Sequence, residues 1–154
     1  MDILKQVKAI LAQQNPLEKD TQLSQLDDVL EYHHEINKAD VVEGVRLLLV
    51  AALQEGDQRI RQKFFRTMDT AVACQDIGDR IDWDRLATML PSLEKWELQY
   101  VLDVLGLSGQ AGYLPLLEEY AHHADPEIRE WAQEAITEIE YRVAHASVSQ
   151  KKAV

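Results

Sequence analysis

Residues 105–136 read LGLSGQAGYLPLLEEYAHHADPEIREWAQEAI, and this stretch decides the fold. A small-residue turn leads into a short apolar helix, with Leu114, Leu117, Tyr120 and Ala121 on one side. Asp125 then offers a side-chain acceptor to the free N–H groups of a new helix. Pro126 takes the first helical position, where no N–H is needed, and Ile128 begins a second buried stripe. Two apolar helices joined in this way form a hairpin that leaves one oily face wet unless another hairpin covers it.

The signal recurs along the chain. "DQRIRQKFF" from Asp57 aligns with "DPEIREWAQ" from Asp125, and Ile60, Phe64, Met68 and Ala71 then match Ile128, Ala132, Ile136 and Ile139. Another helix enters the same frame with Leu105 opposite Ile136. No segment alternates with period two for long, so eight helices are expected and no sheet. The first stops before Pro16. The second carries Leu23, Leu26, Val29, Leu30, His33 and Ile36 on one stripe, and the third starts at Asp40, with Glu43 at capping-box spacing, and stops at Gly56. From Val41 to Leu53 the third is apolar almost all round, which predicts the most buried helix, and Gly44 within it marks a close crossing. Asp57 opens the fourth, Asp82 caps a short fifth, and Ser92 opens the sixth. The seventh spans 113–123 and the eighth 126–144. A single domain over 1–146 with a flexible tail over 147–154 is the expected organisation.

The run of Leu-Gly, small turn, Leu-rich first helix and Asp-Pro-x-Ile-Arg resembles the HEAT-repeat (armadillo-like α-solenoid) family, best over residues 93–140. The resemblance implies an all-α fold, a short right-handed α-solenoid of about four stacked helix pairs, with second helices lining a concave face. The sixth helix departs from the pattern, since it lacks the Asp-Pro and the Arg.

Charge narrows the partners. The chain holds 27 acidic and 16 basic residues, a formal charge of -11, and that average field repels nucleic acid and anionic membrane surfaces. A basic protein partner fits it better. The N-terminal stretch has Lys5 and Lys8 inside an amphipathic pattern, which is neither a leader nor a membrane span, so a cytoplasmic protein is expected. The single Cys74 falls in an apolar helical pattern and reads as a small core residue rather than a nucleophile. Glu31 with His34 and Glu119 with His122 have the Glu-x-x-His spacing of di-iron bundles, but both pairs face away from their apolar stripes. His33 falls inside a stripe and reads as a hydrogen-bonded core histidine. No catalytic residue, metal site or cofactor is expected.

The candidate site comes from the eighth helix. At about 100° per residue, Glu127, Glu130, Glu134 and Glu138 fall within roughly 80° of arc opposite the apolar face, with Tyr141 among them and Trp131 beside them. Glutamates at i, i+4 and i+8 repel by about 0.2–0.5 kcal/mol per pair, so the line is either a solvated face kept for solubility or a binding surface. In the repeat register its sixth-helix counterparts are Trp96, Gln99, Tyr100 and Asp103, and its fourth-helix counterparts include Arg59, Lys63 and Arg66. The expected groove is thus basic at one end, aromatic in the middle and acidic at the other. Trp96 and Tyr100 could instead pack into the core between repeats. The functional expectation is a non-catalytic module that binds a basic protein, in the manner of a bacterial immunity or antitoxin-type inhibitor. The alternative is an enzyme-associated repeat resembling phycobilin lyases or HEAT-type DNA glycosylases. The oligomeric state stays open.

Overall fold

The structure, a computed structural model, describes the backbone of residues 2–153 and the side chains of residues 2–146. It is all-α, with no strand among the described residues. The chain divides into two compact units, Met1–Ile81 and Asp82–Val154.

The first unit holds α1 (Ile3–Ala12), α2 (Pro16–Tyr32), α3 (Lys38–Gln54) and α4 (Gln58–Gln75). Each begins at a side chain that satisfies first-turn N–H groups: Asp2, Asn15, Asn37 and Asp57. The cap of α3 is therefore Asn37, whose Oδ1 accepts from the Asp40 backbone N–H at 3.2 Å, and not Asp40 itself. Helices pack in alternation, α1 on α3 and α2 on α4, with α3 also on α4 and α1 on α2. Val7 and Ile10 of α1, Leu26 and Leu30 of α2, Val45 and Leu48 of α3, and Phe64 and Met68 of α4 are all buried. Each such side chain contributes about 1.5–3 kcal/mol on leaving water.

Gly44 lies where α1 crosses α3, and a Cβ there would sit 3.2 Å from Val7 Cγ2. The close crossing is as expected. The burial of α3 is more one-sided than expected, because Val50 is 42% exposed and only seven of 17 residues are buried.

The second unit holds α5 (Asp84–Thr88), α6 (Lys95–Leu107), α7 (Leu114–Tyr120) and α8 (Pro126–Ala153). Here α6 packs along α8, α7 on α8 and α5 on α6. Proportionally α6 is more buried than α3, with seven of 13 residues inside. A Cβ on its Gly106 would meet the Ala135 Cα at 2.7 Å, so backbone lies nearly on backbone at this crossing.

The sixth helix does not start at Ser92, which closes a 3-10 turn over Leu90–Ser92. Glu94 caps it instead, and Glu97 returns its carboxylate to the Glu94 N–H at 3.1 Å, a reciprocal capping box. Trp83 is fully buried, its backbone N–H donates to the Tyr113 hydroxyl at 3.0 Å, and that hydroxyl donates to Asp84 Oδ1 at 2.8 Å. This clamp ties the start of α5 to the turn before α7. The expected tail over 147–154 falls on residues whose side chains lie outside the described set.

Candidate functional site

The site is built on α6 and α8. On α8, Ile128, Ala132, Ala135, Ile136 and Ile139 are buried against the unit's interior. That fixes the helix's rotation and sends Glu127, Glu130 and Glu134 to the solvent side, with Tyr141 57% exposed. Glu138 is half-buried and accepts from Arg142 Nε at 2.8 Å. Tyr141 stacks on His145 with ring centroids 3.8 Å apart. Glu130 and Glu134 form no ion pair among the described residues, so their mutual repulsion is uncompensated.

Along α6, Trp96 is 54% exposed, Gln99 and Asp103 are exposed, and Tyr100 is half-buried. The packing of α6 on α8 brings the Trp96 and Trp131 rings to a centroid separation of 6.4 Å at 50°. A residue that sequence reasoning passed over, Lys95, completes the group. Its Nζ lies 2.9 Å from Asp125 Oδ2 and 2.8 Å from Glu127 Oε1, 5.4 Å from the Trp96 ring centre and 5.9 Å from that of Trp131.

The hydrogen bonds to Glu127 and then Asp125 push the ammonium's pKa up. The same contact with Lys95 lowers that of Asp125. The signal for Lys95 was available, since in the repeat register it sits where Pro126 does, beside both carboxylates. Of the expected second-unit residues, the structure therefore joins Trp96, Trp131 and Glu127 in one cluster and leaves Glu130 and Glu134 open on the same helix.

In the first unit, Arg59 is exposed, but the other two expected cations are already engaged. Lys63 Nζ is 3.4 Å from Asp20 and Arg66 Nε is 3.1 Å from Asp27, both on α2. Asp27 is buried, and loss of solvation raises its pKa. The expected basic patch is thus largely balanced in place, because α2 sets carboxylates opposite α4.

The remaining candidates are separate. Glu31, His34, Glu119 and His122 are exposed, and among the described residues no group of three or more His, Cys, Asp or Glu is placed to hold a metal ion. His33 is not a core residue. The helix ends at Tyr32, and His33 turns out of it at the C-cap, its side chain 46% exposed. Cys74 is half-buried, and desolvation pushes its thiol pKa up, away from the reactive thiolate. Among the described residues no helix is long and apolar enough to cross a membrane. Set against protein-family models, curated proteins and solved structures, the chain matches none.

Proposed function

We propose that this chain is a non-catalytic protein-binding module of HEAT type, whose α6–α8 face engages a basic region of another protein. Support for the repeat reading comes from the alternating packing of α1 on α3 and α2 on α4 in the first unit and of α6 on α8 in the second. It also comes from the recurrence of caps at Asp57, Glu94 and Asp125, the register expected of repeated helix pairs. The binding reading rests on one observation above all: Trp96 holds 54% of its surface in water next to Trp131, on a face with two uncompensated glutamates. A large ring left wet beside repelling charges is unfavourable in isolation, and both features are met by a partner that covers the ring and brings positive charge. An inhibitor that covers a basic effector domain is the role best suited to this size and charge.

Reversing Glu130 and Glu134 to lysine tests the proposal. The 130/134 pair stays like-charged, but lysine at position 134 faces Glu138 one turn on with opposite charge, so the thermal midpoint should be unchanged or slightly raised. A protein retained by the wild-type chain from extract of its host should be lost from the variant. It should also elute from the wild type near roughly 0.5 M salt, where the Debye length falls to about 4 Å. A variant that unfolds would make the stripe structural, and a partner held equally by both chains would place its site elsewhere.

A further inference from the structure

We infer that the Trp96–Trp131 face is a receptor for an arginine side chain of the partner, and that Lys95 is the chain's own tethered occupant of it. The inference rests on reading this face as a partner surface, and it adds the chemistry of the group recognised. One ammonium contacts both indole rings and both carboxylates at once, at the distances given above. The surroundings thus already display the kind of ion they hold. Both carboxylate contacts are hydrogen-bond length, so the matching occupant carries N–H donors, which a quaternary ammonium lacks. A guanidinium suits the group better than the resident ammonium does. It is planar, can stack on the half-exposed Trp96 ring, and can direct separate N–H groups to Asp125 and Glu127.

Displacing Lys95 would unmake neither helix start, and its side chain is 31% exposed. Glu94 and Glu97 cap α6, while Asp125 caps α8 through Oδ1, the oxygen that Lys95 does not use. An incoming arginine would therefore replace one cation by another, with no carboxylate left unpaired and no cap broken.

The chain has three tryptophans, so its indole N–H signals can be followed separately by NMR. The probe is an uncharged Gly-Ser peptide carrying one arginine, with a citrulline peptide as its neutral counterpart. The arginine peptide should move the Trp96 and Trp131 signals saturably and leave Trp83 still. Lys95→Met should bind it about fivefold more tightly than wild type, the factor of one or two exposed cation–π contacts. The citrulline peptide should move neither ring, and adding Trp96→Ala should abolish the response.

In the wild type itself, saturating peptide should shift the Lys95 side-chain ¹³C signals toward those of a solvated lysine, a readout that needs no variant to fold. Equal affinity in Lys95→Met, equal shifts with citrulline, or unmoved Lys95 carbons would overturn the inference and leave Lys95 as a fixed clamp between helix ends. If Glu130 and Glu134 reversal releases a partner while Lys95→Met leaves arginine affinity unchanged, the interaction reading stands and the arginine receptor falls. If the peptide behaves as expected but no partner depends on this face, the receptor stands and the partner reading falls.

Discussion

Gly106→Ala is the most informative single change for the packing of the second unit. Alanine favours a helix over glycine by about 1 kcal/mol, so on local grounds the substitution should stabilise α6. The tertiary packing opposes it. The new Cβ would lie 2.7 Å from the Ala135 Cα and 2.9 Å from its Cβ, against an ordinary carbon–carbon separation of about 3.5–4.0 Å. The obstacle is backbone and cannot rotate aside, so α8 must retreat by roughly 0.8 Å or more, which forfeits a quarter to a half of the contact energy along the seam. Overpacking of this kind costs about 2–3 kcal/mol, leaving a net loss of about 1–2 kcal/mol after the propensity gain and a fall in thermal midpoint of about 2–8 °C.

Two glycines serve as controls in the same melting experiment. At Gly44 the obstructing atom is the movable Val7 Cγ2 at 3.2 Å, so gain and clash should nearly cancel. Gly56 has nothing within 4 Å and an ordinary backbone, so alanine there should be neutral or stabilise by about 0.4–1 kcal/mol. Adding Ala135→Gly to Gly106→Ala should restore only part of the loss, because the main chain of α8 still stands in the way of the new methyl group. Equal midpoints for all three single variants would refute the backbone-on-backbone account of the α6–α8 crossing.

Other perturbations read other parts of the molecule. Tyr113→Phe strips the acceptor from the buried Trp83 N–H and the donor from Asp84; urea unfolding should show a loss of about 1–3 kcal/mol, and an unchanged midpoint would mean the clamp is idle. Asp27 has a folded pKa raised by burial, so its contribution to stability is full below its unfolded value near pH 4 and is lost as pH rises through the folded value. Asp27→Asn should flatten that decline in denaturation midpoints taken from pH 4 to 7, and an identical slope in both chains would contradict it. Asp125 has the opposite sign, its folded pKa lowered by Lys95; its contribution is present above pH 4 and lost as pH falls through the lower folded value. Asp125→Asn should therefore be less sensitive than wild type to acid below that point, as NMR titration of the carboxyl carbon and parallel melts can check.

Much of the helical layout is legible in residue spacing, because the apolar stripes of α1, α4 and α8 are uninterrupted and Asp57 and Asp125 are strong caps. Errors cluster at helix ends, where two candidates compete or a distant group decides. Asn37 and Asp40 are both capping types three residues apart, and the chain uses the first to bind the N–H of the second. Glutamate is a poor N-cap on its own, so Glu94 was hidden until its partner Glu97 closed the box. His33 keeps helical phase with Leu26 and Leu30, yet the helix stops at Tyr32, and the side chain of Gln75, far along the chain, donates to the carbonyls of Leu30 at 2.7 Å and His33 at 3.0 Å. Local pattern carries no trace of that bond. The site divides in the same way: the glutamate line follows from helical phase, whereas the role of Lys95 depends on where α6 meets α8.

That glutamine has a dynamic consequence. A single buried amide is shared between two helices, so the closing turn of α2 cannot fray alone without stranding the Gln75 Nε2 hydrogens away from water. The ends of α2 and α4 should therefore open as one event, and their slow-exchanging amides should share a single protection factor where independent helix ends would show two. A polar side chain at the far end of α4 thus couples the local stability of two segments more than forty residues apart in sequence.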